Sequence, residues 1–311
     1  MRDFLVKRLL QAVGIILCIS AITFFMLNIV PGDPVRIMMG DMADEATIET
    51  VRHNMGLDKP VAEQYVDWLA GMVTGDFGQS YTQRKDVTQL MGQAFSVTAA
   101  LAASAYVFAL VLGVVVGVVA AAKRGTWVDQ TLMSLAIFGI SAPVFWVAII
   151  LQIVFALTLH WLPLSGIKTP AYFVLPTIAL GVRYAASIAR VTRTSMLEVL
   201  SQDYMRTAEA KGLKYWVIVV RHALRNALIP IITIAGTQLG DIFTGSILIE
   251  SIFSMPGMGK MMLDAINARD LPLIQGGVMY IALICVVVYF VVDVLYAVVD
   301  PRIRLGEEGA N

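Results

Sequence analysis

The chain has 311 residues, of which 58% are hydrophobic and only 15% charged, with a mean hydropathy of +0.75 and no net charge. Soluble domains lie nearer half apolar and a quarter charged, so the composition excludes an ordinary soluble globule and points to a polytopic membrane protein. Zero net charge gives no electrostatic case for nucleic acid. The two cysteines, Cys18 and Cys285, both lie in apolar runs and supply neither a disulfide framework nor a metal cluster.

The N-terminus imitates a signal peptide, with Arg2, Lys7 and Arg8 ahead of an apolar run. The run from Leu9 to Val30 is too long for one, no small-x-small cleavage pattern follows, and bulky Leu17 before Cys18 argues against a lipoprotein anchor. An uncleaved first span is expected. Six apolar stretches, near 9–30, 95–122, 131–159, 173–192, 228–250 and 276–299, are long enough to cross about 30 Å of hydrocarbon. Helices alone satisfy the backbone in such open runs. The expectation is therefore an all-α, polytopic protein with six transmembrane helices, forming a single membrane domain over residues 1–311.

Charge orients it. Cations mark the N-terminus, the short loop with Lys123 and Arg124, the loop 193–227, and the tail at Arg302 and Arg304. With six spans these four places share one side, and the positive-inside rule makes it cytoplasmic, with both termini inside. The longest opposite loop, 31–93, is acidic. Within it "ADEATIETVRHNMGL" and "PVAEQYVDWLAGMV" have helical spacing; in the second, Val61, Tyr65, Trp68 and Leu69 share a face and Pro60 suits its first turn.

Catalytic constellations are missing from the sequence. "PGMGK" at 256–260 resembles a phosphate loop but has Ser254 where the first glycine belongs and Met261 after the lysine. His53, His160 and His222 lack metal-ligand spacing, and neither G-x-S-x-G nor H-E-x-x-H occurs. No catalytic residue, no metal site and no cofactor bound by this chain are expected.

Charges inside the spans are more informative, because each costs about 2.5–3.5 kcal/mol at the bilayer centre. Arg190, Asp293 and Glu250 lie near span ends, where interfacial placement accounts for them. Arg183 and Asp241 lie deeper and are candidates for a translocation pathway. On the fifth span Thr233, Thr237, Gly240 and Thr244 recur at helical spacing with Gln238, Asp241 and Gly245 beside them. Such a stripe lines a pore or packs helices closely; both readings stand. In the second span, Gly113 and Gly117 form a small-xxx-small pair suited to packing.

One insert breaks the apolar pattern. "DYMRTAEAKGLKYWVIVVRHALRNALIP", 203–230, is helix-forming and charged up to Lys211, and Gly212 ends that helix. A short helix with small Ala208 and Ala210 beside Gly212 is a knob for a groove on another protein. An interfacial helix anchored by Trp216 is the alternative.

This insert resembles the cytoplasmic "EAA" loop of ABC importer permeases. The wider likeness is to the first inner-membrane subunit of the dipeptide/oligopeptide branch. It is carried by "FLVKRLL", "NIVPGDP", "GLDKPVAEQYVDWL", "GDFGQSY", "DYMRTAEAKG", "RHALRNALIP", "ESIFSMPGMGKMMLDAI", "RDLPLIQG" and "VVDVLYAVVDPRIR". Arg206 stands at the consensus Glu position and Thr207 at the first Ala; Ala208 matches the second, and Glu209 is out of register. The resemblance implies a type I ABC importer permease fold in a bacterial inner membrane. It implies a second homologous permease, two ABC ATPases that hold ATP and Mg, and a soluble substrate-binding protein as partners. Tyr204, Arg206, Thr207, Ala208, Glu209, Ala210, Lys211 and Gly212 would couple to the ATPases. Arg183, Thr233, Thr237, Gln238, Gly240, Asp241 and Thr244 would line the pathway. Glu250, Phe253, Pro256, Gly257 and Gly259 would shape an outer gate, the "MPGMG" turn having the Pro and Gly that a sharp reversal needs. Di- or oligopeptides are the implied substrates, with glutathione, nickel chelates, opines or small saccharides as alternatives. The rival class is a stand-alone secondary transporter or channel, which would need broken helices or inverted repeats and its own ion-coupling residues.

Overall fold

Backbone groups find no partner in hydrocarbon, so long apolar runs close their hydrogen bonds within helices. The computed structural model describes residues 2–29, 34–39, 44–54 and 56–299, and almost all of its regular structure is helical. The basic tail at Arg302 and Arg304, part of "NIVPGDP", and Asp33 and Asp41 of the acidic loop lie outside the described residues.

The elements run α1 (Arg2–Ile29), α2 (Pro34–Met39), α3 (Glu45–Asn54), α4 (Val61–Thr74), α5 (Val87–Ala122), α6 (Trp127–Ser141) and α7 (Val144–Leu151), the last continuing as a π-helical stretch, Gln152–Thr158. Then come α8 (Ala171–Leu200), α9 (Asp203–Ala210), α10 (Tyr215–Val217), a second π stretch, Ile218–Ala223, α11 (Leu224–Ile252), α12 (Met258–Ala268) and α13 (Leu271–Val299). Among the described residues five helical segments are long and apolar enough to cross a membrane, Val6–Met26, Val87–Ala122, Ala171–Leu200, Tyr215–Ile252 and Leu271–Val294, and a bent pair, Trp127–Ser141 with Val144–Thr158, makes six if it counts as one span.

The expected third span, 131–159, is not one straight helix. α6 and the helix from Val144 to Thr158 meet at 107°. Pro143 has no N–H to continue the ladder and drives the residue before it out of the helical region; Ala142 is extended at φ −70°, ψ 131°. Both helices expected in the acidic loop are present as α3 and α4. The helices α2 and α12 were not foreseen.

By contact density the chain forms two compact units. One comprises Met1–Val97 and Gly257–Phe290. Here Tyr65 and Trp68 of α4 pack on Phe24 of α1, with ring centroids 5.4 and 5.5 Å apart, and the Ser20 and Tyr65 hydroxyls share a 2.8 Å hydrogen bond. Val61, expected on that face, stays exposed at the helix start. A second cluster buries Val87, Met91, Met262, Ala265 and Leu273. Gly277 admits α12 closely: a Cβ there would lie 2.1 Å from the Met262 sulfur.

The same unit holds a fully buried carboxylate, Asp270, between α12 and α13. It accepts from Ser80 Oγ at 2.5 Å, Thr82 Oγ1 at 2.7 Å, and the N–H groups of Tyr81 and Thr82 at 3.1 Å each. Burial pushes this carboxyl up, but the donors from Ser80, Thr82 and Tyr81 outweigh it and hold it below the usual aspartate range. The Tyr81 phenol, desolvated and beside that charge, is pushed up to about 12 and stays neutral.

The other unit comprises Thr98–Pro256 and Val291–Asn311 and is organised around α8, against which α6, α7 and α11 pack. The expected packing role of the glycine pair is borne out. A Cβ on Gly113 would lie 2.7 Å from the Ala185 carbonyl oxygen, and one on Gly117 2.5 Å from Thr192 Cβ. Gly181 of α8 returns the contact, 2.7 Å from the Phe108 ring.

Two predictions follow from these contacts. Because the folded Asp270 carboxyl titrates below its unfolded value, its contribution is present above the usual aspartate range and lost as pH falls through the lower folded value. Asp270→Ala should cost roughly 3 kcal/mol, the worth of hydrogen bonds to a charged group, and flatten the acid side of the melting-temperature profile in detergent. Gly117→Leu should lower the melting temperature by overpacking, at a cost of about 1–3 kcal/mol, while Gly125→Ala in the open 122–127 turn should cost less, limited to its left-handed backbone.

Candidate functional site

The charged insert forms α9, and its two faces differ. Met205 is buried, 4% exposed, in a cluster with Met196, Ile218, Val219 and Ala223, and Ala208 packs against that cluster. Tyr204, Arg206, Thr207, Glu209, Ala210, Lys211 and Gly212 are exposed. Of the two small residues read as a knob, Ala210 faces outward and Ala208 faces its own chain.

Gly212 ends the helix as its spacing predicts. Its φ is +75°, its N–H donates to the Glu209 carbonyl at 2.9 Å, and the Leu213 N–H donates to the Ala208 carbonyl at 3.4 Å. This is the paired-bond Schellman ending, which needs a left-handed residue. Nothing lies within 4 Å of a Cβ built there, so the constraint is backbone conformation and not space.

The flanks of α9 are tied down. The Tyr215 hydroxyl donates to the carbonyl of Ala122, the last residue of α5, at 2.9 Å. That carbonyl is an orphan acceptor of a helix end. On the other flank Arg193 of α8 makes a two-pronged ion pair with Asp129 of α6, Nε to Oδ1 at 2.6 Å and an Nη to Oδ2 at 2.8 Å. The Gly125 N–H donates to the same carboxylate at 3.0 Å. Sequence reading counted Arg193 only as an orienting cation. Its partner lies 64 residues away and left no local signal.

The polar stripe on α11 divides. Thr233, Thr237, Asp241 and Thr244 are exposed, whereas Gln238 and Gly240 are buried. The Thr233 and Thr237 hydroxyls donate to carbonyls of their own helix, Ile229 and Ile234, at 2.9 Å each. Buried Gln238 Oε1 has no hydrogen-bond partner. Gly245 turns the other way: a Cβ there would lie 3.2 Å from Leu180 and from the Tyr184 hydroxyl. Arg183 and Arg190 on α8 are exposed.

Glu250 is buried within the chain. It is 0% exposed, and its carboxylate accepts from Thr98 Oγ1 at 2.7 Å. Position along an apolar run reports depth, not which helix face a residue occupies. Phe253 is also buried, and its carbonyl accepts from the Gly166 N–H at 3.0 Å. The Gln152 amide donates to the Leu164 and Ile252 carbonyls at 3.1 and 3.2 Å, fixing the end of α11 to the 160–170 loop. In the "SMPGMG" turn the left-handed residue is Ser254, φ +49°, not a glycine. Gly257 precedes α12 with extended backbone at φ −94°, and Gly259 is helical. Pro256 is exposed, Gly257 and Gly259 buried, and the boundary between the two units falls between 256 and 257.

Apart from these residues, the Met1–Val97 unit has a cavity of about 1070 Å³, walled in part by Lys59, Asp67, Trp68 and Arg84. Among the described residues no His, Cys, Asp and Glu group has the geometry to hold a metal ion.

Residues 113–305 match the family described as "Binding-protein-dependent transport system inner membrane component", and residues 1–102 match its N-terminal companion. The chain belongs to this family. It is the transmembrane permease subunit of an ABC importer, a multi-pass protein of the bacterial inner membrane. The glutathione transport system permease protein GsiC of Pectobacterium atrosepticum is 39% identical over 304 residues, 98% of this chain and 99% of the relative. GsiC of Escherichia coli strain K12 shows the same identity and coverage. Among solved structures, the permease subunit resembles chains of the MetNI methionine ABC transporter in inward-facing conformations. The CY5 native crystal form gives a TM-score of 0.55 at 17% identity, and the selenomethionine-soaked form 0.57 at 18%. Each covers 68% of this chain and 97% of that one. At this identity the likeness bears on fold, and the fold is that of a type I ABC importer permease.

The Asp129–Arg193 pair predicts a non-additive cycle. Asp129→Ala should destabilise the permease subunit by about 3 kcal/mol through the unpaired guanidinium, and Asp129→Ala with Arg193→Met should recover part of that loss. Thermal melts of the purified variants read this directly.

Proposed function

We propose that this permease subunit serves an importer of small peptides, with glutathione, itself a tripeptide, as the foremost substrate. The observation that carries the reading is full-length likeness, 39% over 98% of the chain, to permeases named for glutathione transport. In this reading a second homologous permease completes the pathway, so that this chain, one permease domain over 1–311, supplies half of it. The exposed face of Thr233, Thr237, Asp241 and Thr244, with Arg183 on α8, is then turned toward the pathway. Glu250, Phe253, Pro256, Gly257 and Gly259 shape its outer gate.

Two ABC ATPases dock below the permease pair, each taking one coupling helix, here the outward face of α9 with Arg206, Glu209, Ala210 and Lys211, and a soluble binding protein delivers substrate from the other side. Both termini are then cytoplasmic. ATP and Mg belong to the ATPases; this chain performs no catalysis and needs no cofactor. It acts by differential contact with two ATPase states.

The test is uptake. The whole transporter, purified in mild detergent with whatever co-elutes and reconstituted in liposomes with its binding protein, should accumulate radiolabelled glutathione only with ATP. Excess unlabelled glutathione should abolish uptake, and a dipeptide should compete if the site is generic for peptides. ATP-driven uptake of a nickel chelate or an opine, with glutathione ignored, would overturn the substrate. A permease subunit that purifies alone and transports without ATPases would overturn the assembly.

A further inference from the structure

Between α9 and α11 the chain does not form a uniform helix. Ile218–Ala223 is π-helical, and the Leu224 N–H bonds back five residues to the Val219 carbonyl at its end. A π turn carries an extra residue relative to the α-helix around it and is a place where a helix can rewind. A push on α9 delivered only along the main chain would therefore pass through both the 211–214 turn and a stretch that can rewind. The buried contacts of Met205 with Ile218, Val219 and Ala223 hold α9 against this stretch, but apolar contact has no direction and resists sliding weakly.

One side chain bypasses the π turn. Asn226, in the first turn of α11, donates from Nδ2 to the Tyr204 hydroxyl on α9 at 3.1 Å and to the His222 carbonyl, inside the π turn, at 3.0 Å. A side-chain amide has two N–H donors on one nitrogen, so both bonds form together. The bridge joins α9, the π turn and α11 at a single atom, 22 residues from Tyr204 in sequence.

We propose that Asn226 is a positioning residue for transport, tying the movement of α9 to α11 through Tyr204 so that the π turn between them does not absorb it. This rests on the reading of α9 as the element that follows the ATPases.

The experiment needs no identified substrate. In the assembled transporter, with Cys18 and Cys285 replaced by serine, Thr237→Cys on the exposed face of α11 reports its surroundings through the rate of modification by a membrane-impermeant maleimide. The rate is compared without nucleotide and after trapping with ATP and vanadate. With Asn226 and Tyr204 intact, trapping should change it. Tyr204→Phe, which removes only a hydroxyl, and Asn226→Leu should each shrink that change by roughly two- to ten-fold, the size a single hydrogen bond commands. The double variant should do no worse than either single one, because the two residues form one link. The ATPases should still co-purify and trap nucleotide. A nucleotide response of full size in both variants, or none with both residues intact, overturns the proposal. Gly212→Arg separates the two levels, since it strains the end of α9 without touching the bridge. If that variant keeps its ATPases and its full response, the reading of α9 falls. If it loses them while Tyr204→Phe and Asn226→Leu respond fully, only the bridge falls.

Discussion

In hydrocarbon a backbone amide without a partner costs several kcal/mol, and the rest of this structure depends on how that constraint is met. Among the described residues five apolar segments meet it with continuous helix, one of them, Tyr215–Ile252, including a π stretch. Three places depart from it: the bend at Pro143 and the two π stretches, 152–158 and 218–223. Each π stretch is accompanied by a side-chain amide that donates to backbone carbonyls. Gln152 supports Leu164 and Ile252, and Asn226 supports His222. At both π stretches a polar side chain thus braces the main chain.

Three carboxylates, Asp129, Glu250 and Asp270, are buried with exposures of 3%, 0% and 0%. Each accepts from groups remote in sequence: Arg193, Thr98, and the 80–82 segment. A buried charge tolerates few arrangements, because losing its donors leaves it desolvated and unpaired. These residues thereby specify which loop lies against which helix. Apolar contacts such as the Val87, Met91 and Met262 cluster supply adhesion but much less direction.

What the sequence makes legible follows from the range of the physics involved. Helical periodicity and length are local, so the long apolar helices and both loop helices, α3 and α4, are readable. The glycine that ends α9 is readable because few other residues accept φ of +75°, and the Gly113 and Gly117 pair because small residues at that spacing admit a neighbouring backbone. The bend at Pro143 was passed over: hydropathy is continuous across it, and only the proline marks the missing donor. The Asp270 clip could not be read, since its donors lie about 190 positions away and Ser, Tyr and Thr carry no signature of it. The burial of Glu250 against Thr98 could not be read for a related reason, and Ser254 was missed because a left-handed serine is uncommon enough that the glycines beside it drew the assignment.

The close approach of α5 and α8 has a mechanical side. At Gly113 and Gly117 the two helices meet with backbone and Cβ atoms nearly in contact, so no layer of long, rotatable side chains separates them at those levels. A joint between helices normally owes its give to rotamer changes in such a layer. Without one, α5 and α8 behave as a single stiff strut along this length. A displacement imposed at the Arg193 end of α8 is then carried along the pair instead of being spent locally as side-chain rearrangement.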